Sequence, residues 1–144
     1  MSQWTDHALT TLEQQGHRTG AARRTVVEML GRQRCCLSAK EITERLRDEG
    51  REVGLASVYR ALELLDELRL VQRLDAGEGV VRYEPLHEGG EHHHHIVCES
   101  CGGVASYEDE ELERAIHALA GRLSWDVEAH DVVLRGRCPA CTPT

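Results

Sequence analysis

The sequence predicts an α+β chain made of two small units of different character, and three observations carry that prediction. The first 84 residues show apolar residues at helical spacing and then two short β-prone runs. The last 60 hold two Cys-x-x-Cys pairs and a tract of four histidines. The charge divides along the same line: residues 1–84 contain 13 Lys/Arg and 14 Asp/Glu, a balance of −1, whereas residues 85–144 contain 4 and 11, a balance of −7, with seven of the nine histidines. A net charge of −8 spread this unevenly points to two parts with different tasks.

A first helix fits residues 4–15, where Trp4, Ala8, Leu9 and Leu12 form one apolar stripe and Gly16 provides a stop. A second fits 21–32, with Val26, Val27, Met29 and Leu30 apolar. Ser38-Ala-Lys-Glu41 has the form of a capping box and opens a third helix, whose apolar face continues through Ile42 and Leu46 to a stop at Gly50. After a short turn a fourth helix is predicted near 55–69, with Leu55, Val58, Leu62, Leu65 and Leu68 apolar. Leu70–Asp75 and Val80–Glu84, joined by Ala-Gly-Glu-Gly, predict a hairpin. Helices followed by a hairpin is the order of a winged helix-turn-helix. Pro85 to Glu91 then forms a polar, glycine-containing hinge. Beyond it the sequence predicts a strand over His92–Cys98, a cysteine knuckle, a strand at 104–107, an acid-capped helix near 108–123, a strand over Trp125–Arg135 and a second cysteine pair. The domains are therefore set at 1–84 and 92–144, with the hinge at 85–91.

Phe is absent and aromatic residues make up only 3%, so both cores rest on aliphatic side chains. Two such small cores are marginal alone, and a metal, a dimer interface or both are expected to support them. No run approaches the roughly 20 apolar residues that span a bilayer, and the N-terminal segment lacks the features of a secretory signal. A cytoplasmic protein without a membrane partner is expected, and in that compartment cysteines indicate metal ligation or redox chemistry before disulfides.

Cys98-Glu-Ser-Cys101 and Cys138-Pro-Ala-Cys141 can each present two thiolates from a tight turn, and together they complete the tetrahedral four-thiolate shell of a structural zinc. The 36 residues between the pairs exceed the spacing of a compact zinc ribbon, so the ion would staple a helix and a strand. Gly102, Gly103 and Pro139 favour the turns. Cys35 and Cys36 are adjacent, a spacing that rarely serves one ion, and a small buried side chain is the plainer reading for at least one of them. His92, His93, His94 and His95 lead into this knuckle. On a strand, His92 and His94 face one way and His93 and His95 the other, so one tract can feed two sites. Imidazole suits zinc, nickel, copper and iron. Glu113, His117 and His130 are placed as further donors, and so is His87 in the hinge. His7 and His17 have no such context and are expected on the surface.

In the fourth helix, Leu55-Ala-Ser-Val-Tyr-Arg-Ala-Leu-Glu-Leu-Leu turns Val58, Leu62 and Leu65 inward and leaves Ser57, Tyr59, Arg60 and Glu63 outward. Arginine can read guanine with two hydrogen bonds, and tyrosine can meet a phosphate or a thymine methyl. Arg18, Arg23 and Arg24 could add backbone contacts, and Arg73 and Arg82 fall on the wing.

The combination of SVYRALELL, the hinge, HHHHIVCESCG and a terminal CPAC resembles the ferric uptake regulator family over nearly the whole chain. The resemblance implies a homodimer with an N-terminal winged helix-turn-helix domain and a C-terminal α/β dimerisation domain. It also implies repression at double-stranded operator DNA when a divalent metal is bound. By position it implies structural zinc ligands at Cys98, Cys101, Cys138 and Cys141. It implies a regulatory site between the domains at His87, His93 and His95, a further metal site at His92, His94, Glu113 and His130, and base contacts from Tyr59 and Arg60. Departures bear on the metal. Peroxide-sensing members typically have Asp where this chain has His87. Iron-sensing members commonly have Asp where His94 stands and a His where Cys36 stands. The replacement donors are nitrogen and sulfur, which favours zinc and brings the chain closest to the zinc-uptake regulators. Those usually carry a Cys near the hinge, which keeps iron, nickel and manganese open. Gly20 and Ala22 replace the usual Thr and Gln/Pro before the second-helix arginine, so weaker contacts are expected there. Rival readings are a metal store or chaperone, which would have no use for Tyr59 and Arg60, and a zinc hydrolase using Glu113 as base. No HExxH helix supports the latter, so no catalytic residues are assigned.

Overall fold

The computed structural model of the chain describes residues 3–33, 36–75, 79–86 and 93–142. Two compact units emerge, Met1–Glu91 and His92–Thr144. Among the described residues no helix is long and apolar enough to cross a membrane.

The first unit runs α1 (Gln3–Gln14), α2 (Ala21–Gly31), β1 (Leu37–Ser38), α3 (Ala39–Asp48), α4 (Leu55–Glu67), β2 (Val71–Asp75) and β3 (Val81–Pro85). This is the expected winged helix-turn-helix. The apolar stripes of the four helices meet in one core, with Leu12, Val27, Leu30, Ile42, Leu46 and Leu62 fully buried. Trp4 closes the core, and its indole N–H donates to the Leu70 carbonyl at 2.9 Å, tying α1 to the start of the wing. The capping box is complete. The Glu41 amide donates to Ser38 Oγ at 3.1 Å, and the Ser38 amide donates to Glu41 Oε1 at 3.1 Å. Gly50 takes φ +79 in the turn between α3 and α4, a conformation that glycine adopts without strain.

Four details differ from the sequence reading. Leu37–Ser38 form a short strand beside β3, giving the sheet order β1-β3-β2 with Leu37 opposite Tyr83 and Ser38 opposite Arg82. Two residues are too few to carry a periodicity, which is why the strand is invisible in the sequence. The fourth helix stops at Glu67 because Arg69 adopts φ +57, and the Leu70 amide closes on the Leu65 carbonyl. Leu55, expected in the apolar stripe, is exposed at the helix start. At the other end of the hairpin, Pro85 lies in β3 opposite Val71 rather than opening the hinge. Residues 87–91 lie outside the described residues.

The second unit comprises β4 (His94–Cys98), β5 (Val104–Tyr107), α5 (Glu110–Leu123) and β6 (Val133–Gly136). β4 is central, antiparallel to β5 and parallel to β6. The Asp109 side chain caps α5 by accepting from the Leu112 amide at 2.9 Å, and Ser124 ends the helix at φ +58. The strand expected over Trp125–Arg135 is confined to Val133–Gly136. Trp125 and Val127, within that expected strand, are exposed, so they mark a surface. The histidine tract is described only in part. His92 lies outside the described residues and His93 precedes β4. His94 and His95 are both buried although they face opposite sides of β4.

Candidate metal centres

Parallel pairing of β4 with β6 sets Cys98 opposite Gly136, which delivers the second cysteine pair to the end of the strand that carries the first. Tight turns then fold each pair back. The Gly102 amide reaches the Cys98 carbonyl and the Cys141 amide the Cys138 carbonyl, both at 2.9 Å. Gly102 sits at φ +75, and a Cβ on Gly103 would lie 3.3 Å from Cys101 Sγ, so both glycines belong to the geometry of the knuckle. The four Sγ atoms all lie within 4.8 Å of one another. Cys101 and Cys138 are 3.9 Å apart. That is far longer than the roughly 2.05 Å of a disulfide. It is close to the roughly 3.8 Å edge of a tetrahedron built on zinc–sulfur bonds of about 2.3 Å.

The electrostatics agree with a cation at the centre. The amides of Cys101 and Cys138 point at Cys98 Sγ from 3.5 and 3.3 Å and lower that thiol to about 6. The thiols of Cys138 and Cys98 push Cys141 up to about 12. One thiolate is stabilised by the fold, and a fourth is held off by its neighbours until positive charge arrives. This donor set fits zinc, which binds thiolates and supplies folding free energy when it does so.

A second cluster lies at the other end of β4. Glu113 places one carboxylate oxygen 2.5 Å from His94 Nε2 and the other 2.7 Å from His130 Nε2. The Val132 amide donates to His94 Nδ1 at 3.2 Å, which leaves Nε2 as the protonated nitrogen facing Glu113. An ion taken up here would displace that proton. The three residues meet the separation expected of ligands to one ion. Glu113 and His130 also line a cleft of about 440 Å³ together with His117 and Asp126, which opens the cluster to solvent while His94 stays buried. Two neighbours had no sequence signal. The Tyr107 ring lies tilted 5.7 Å from His94, with a buried hydroxyl that has no partner among the described residues. Glu108 lies 3.1 Å from His93. Their roles depend on the register of β4 with β5, which pairs His94 with Tyr107.

Of the other residues singled out in the sequence, His87, His92 and Cys35 lie outside the described residues. His95 is buried in β4 opposite Ser106 and Val133, and Cys36 is buried next to β1. On α4, Tyr59 is 46% exposed and Arg60 donates to Ser57 Oγ at 3.1 Å, so the three form one outward patch. Arg23 donates to the Arg18 carbonyl at 2.6 Å, bringing that pair together at the start of α2. Arg73 lies 5.9 Å from the Tyr83 ring. Arg82 is turned inward to Glu41 and does not extend from the wing.

A helix-turn-helix joined in sequence to a four-thiol knuckle and a histidine-carboxylate cluster narrows the possibilities sharply. The sequence profile described as "Ferric uptake regulator family" matches residues 14–135. This chain belongs to the ferric uptake regulator family. It is 36% identical over 118 residues to the ferric uptake regulation protein of Bacillus subtilis, covering 81% of this chain and 79% of that one. The crystal structure of the Vibrio cholerae ferric uptake regulator superposes with a TM-score of 0.79 at 31% identity, covering 90% of this chain and 98% of the other. The ferric uptake regulator of Helicobacter pylori, whose structure is described as revealing three functional metal binding sites, superposes with a TM-score of 0.84 at 26% identity over 98% and 93% of the two chains. Ferric uptake regulator family members are metal-responsive, DNA-binding transcription regulators and not enzymes.

Proposed function

We propose that this chain is a metal-dependent transcriptional repressor, which binds operator DNA as a homodimer when zinc occupies a regulatory site formed by His87, His93 and His95. The observation that carries the reading is the presence of two unlike donor sets on one strand. The four cysteines at the C-terminal end of β4 form an all-thiolate set suited to a permanent ion. At its N-terminal end His94, with Glu113 and His130, forms a nitrogen-and-oxygen set suited to an ion that exchanges, and the proposed regulatory ligands His93 and His95 flank His94 in sequence. Zinc is favoured because the proposed regulatory ligands His87, His93 and His95 are all imidazoles and because His94 stands where iron-sensing members commonly have Asp. A bound divalent ion supplies positive charge and a fixed angular relation between its ligands. His93 and His95 would then hold the start of β4 in one arrangement, and the ion would offset part of the −7 balance of the C-terminal segment, easing approach to phosphate. Regulation follows only from a difference in metal affinity between the DNA-competent and DNA-incompetent states.

A second copy of the chain is the partner favoured by the surface of the second unit. No residue of α5 is buried, and Leu119, Leu123, Trp125, Val127 and Leu134 are all exposed, with Trp125 at 74%. An apolar surface of this kind calls for a cover.

Iron is the second reading, favoured by the 36% identity to a ferric uptake regulation protein and by the carboxylate of Glu113. Fluorescence anisotropy on DNA separates the two. With the four-cysteine zinc retained, zinc, iron(II), nickel and manganese are titrated separately at buffered free concentrations. Zinc is expected to drive DNA binding at a free concentration far below the others. A preference for iron(II), judged against the cellular availability of each metal, would replace zinc with iron and leave the repressor reading standing. DNA binding indifferent to every metal would remove that reading.

A further inference from the structure

Arg82 lies on the wing, where a cation would ordinarily be expected to reach for a phosphate. Here it does something else. Its Nη1 is 2.5 Å from Glu41 Oε1, its side chain is 19% exposed, and its buried Nε has no partner among the described residues. Glu41 is already committed to α3. The same Oε1 accepts from the Ser38 amide, and the Glu41 amide donates to Ser38 Oγ. Ser38 is the residue of β1 that stands opposite Arg82. One carboxylate oxygen thus joins the N-cap of α3, the edge strand β1 and the wing strand β3.

The surroundings give this junction its importance. A cleft of about 640 Å³ separates the wing from the helices, and Tyr59, Glu63 and Asp66 of α4 face Arg73, Val80 and Arg82 across it. Val71 and Tyr83 anchor the wing strands in the core that also holds Val58, Leu62 and Leu65 of α4, while the cleft side carries the polar link from Arg82 to Glu41. Beside that core, the Arg82–Glu41 pair is a further link between the wing and the helices. We propose that Glu41 is a positioning residue for DNA recognition: by holding Arg82 while closing the α3 capping box, it fixes the spacing between wing and recognition helix, and Arg82 is a brace and not a phosphate contact. This rests on the DNA-binding reading above.

The sign of one substitution separates the brace from plain electrostatics. Glu41→Gln keeps a capping-box side chain, since Gln serves at that position as Glu does. It also removes a negative charge from the DNA-binding unit. Electrostatics alone predicts tighter DNA binding, whereas loss of the charge on the Arg82 link, which weakens the brace, predicts weaker binding. The zinc-loaded full-length wild type, Glu41→Gln, Arg82→Met and the double variant are compared by anisotropy on a duplex obtained by random-sequence selection with the wild type, and on a scrambled duplex, over a range of salt. Each single variant is expected to lose about tenfold in affinity for the selected duplex, with little change on the scrambled one, and the double variant is expected to lose no more than either single. The slope of log affinity against log salt should stay at the wild-type value in Arg82→Met. A slope reduced by roughly 0.9 for each copy of Arg82 lost would make it a phosphate contact and overturn the proposal. Tighter binding by Glu41→Gln, or unchanged binding by both singles, would also overturn it. Circular dichroism confirms that each variant is folded, so a melted protein is not scored as weak binding. Failure of the wild type to select any duplex would instead remove the DNA-binding reading, and this inference with it.

Discussion

Replacing Cys98 by serine is expected to strip zinc from the chain and unfold the unit His92–Thr144. Serine keeps the shape of the side chain but offers no thiolate, and Cys98 is the thiol that two backbone amides already hold at about 6. The effect is large because little else holds the unit. Among its described residues only Val97, Cys98, His94 and His95 are buried, and α5 buries none. Zinc-coupled folding in small four-ligand sites is worth on the order of 10 kcal/mol at neutral pH, far more than an aliphatic core of this size contributes. Zinc content by mass spectrometry under native conditions should fall by one ion per chain. Helical signal should fall with it, and the dimer should dissociate. A Cys98→Ser protein that keeps both its zinc and its thermal transition would show that the knuckle is not the staple described here.

Replacing Arg60 by alanine is expected to have the second largest effect, on DNA binding alone. Arg60 and Tyr59 stand outward on α4, and among the described residues Arg60 reaches Ser57 alone, so truncation costs the fold little. A bidentate arginine–guanine contact discriminates by about 1–3 kcal/mol, and a two-fold dimer uses it twice, giving about 2–6 kcal/mol on a palindromic site. Binding to unrelated sequence should change much less. Equal losses on selected and scrambled duplexes would move Arg60 from base reading to backbone contact.

The elements that were legible in the sequence are those with a strong local signal. Helical stripes located α1 to α4. Ser38 and Glu41 marked the start of α3 to the residue, since a capping box is chemistry between neighbours. The cysteine pairs named all four thiols of the knuckle because the spacing itself encodes the turn. What escaped has a non-local cause. β1 exists only because β3 lies beside it. Arg69 ends α4 in a left-handed conformation that its residue type does not announce. Trp125 and Val127 look like strand residues because a surface that a second copy would cover carries the same apolar spacing as a core. The sequence places Arg82 on the wing, but only the fold brings it to Glu41, 41 residues away in sequence. For Glu113, helix and spacing suggested a donor, but only the fold shows its two oxygens shared between His94 and His130.

The most direct test of the central claim is the His93→Ala/His95→Ala double variant, with its four-cysteine zinc intact, in DNA-binding anisotropy across buffered free zinc. The account predicts a folded dimer that keeps one zinc per chain and no longer gains DNA affinity as zinc rises. A double variant that responds to zinc as the wild type does would contradict it, and would move metal sensing to another set of donors.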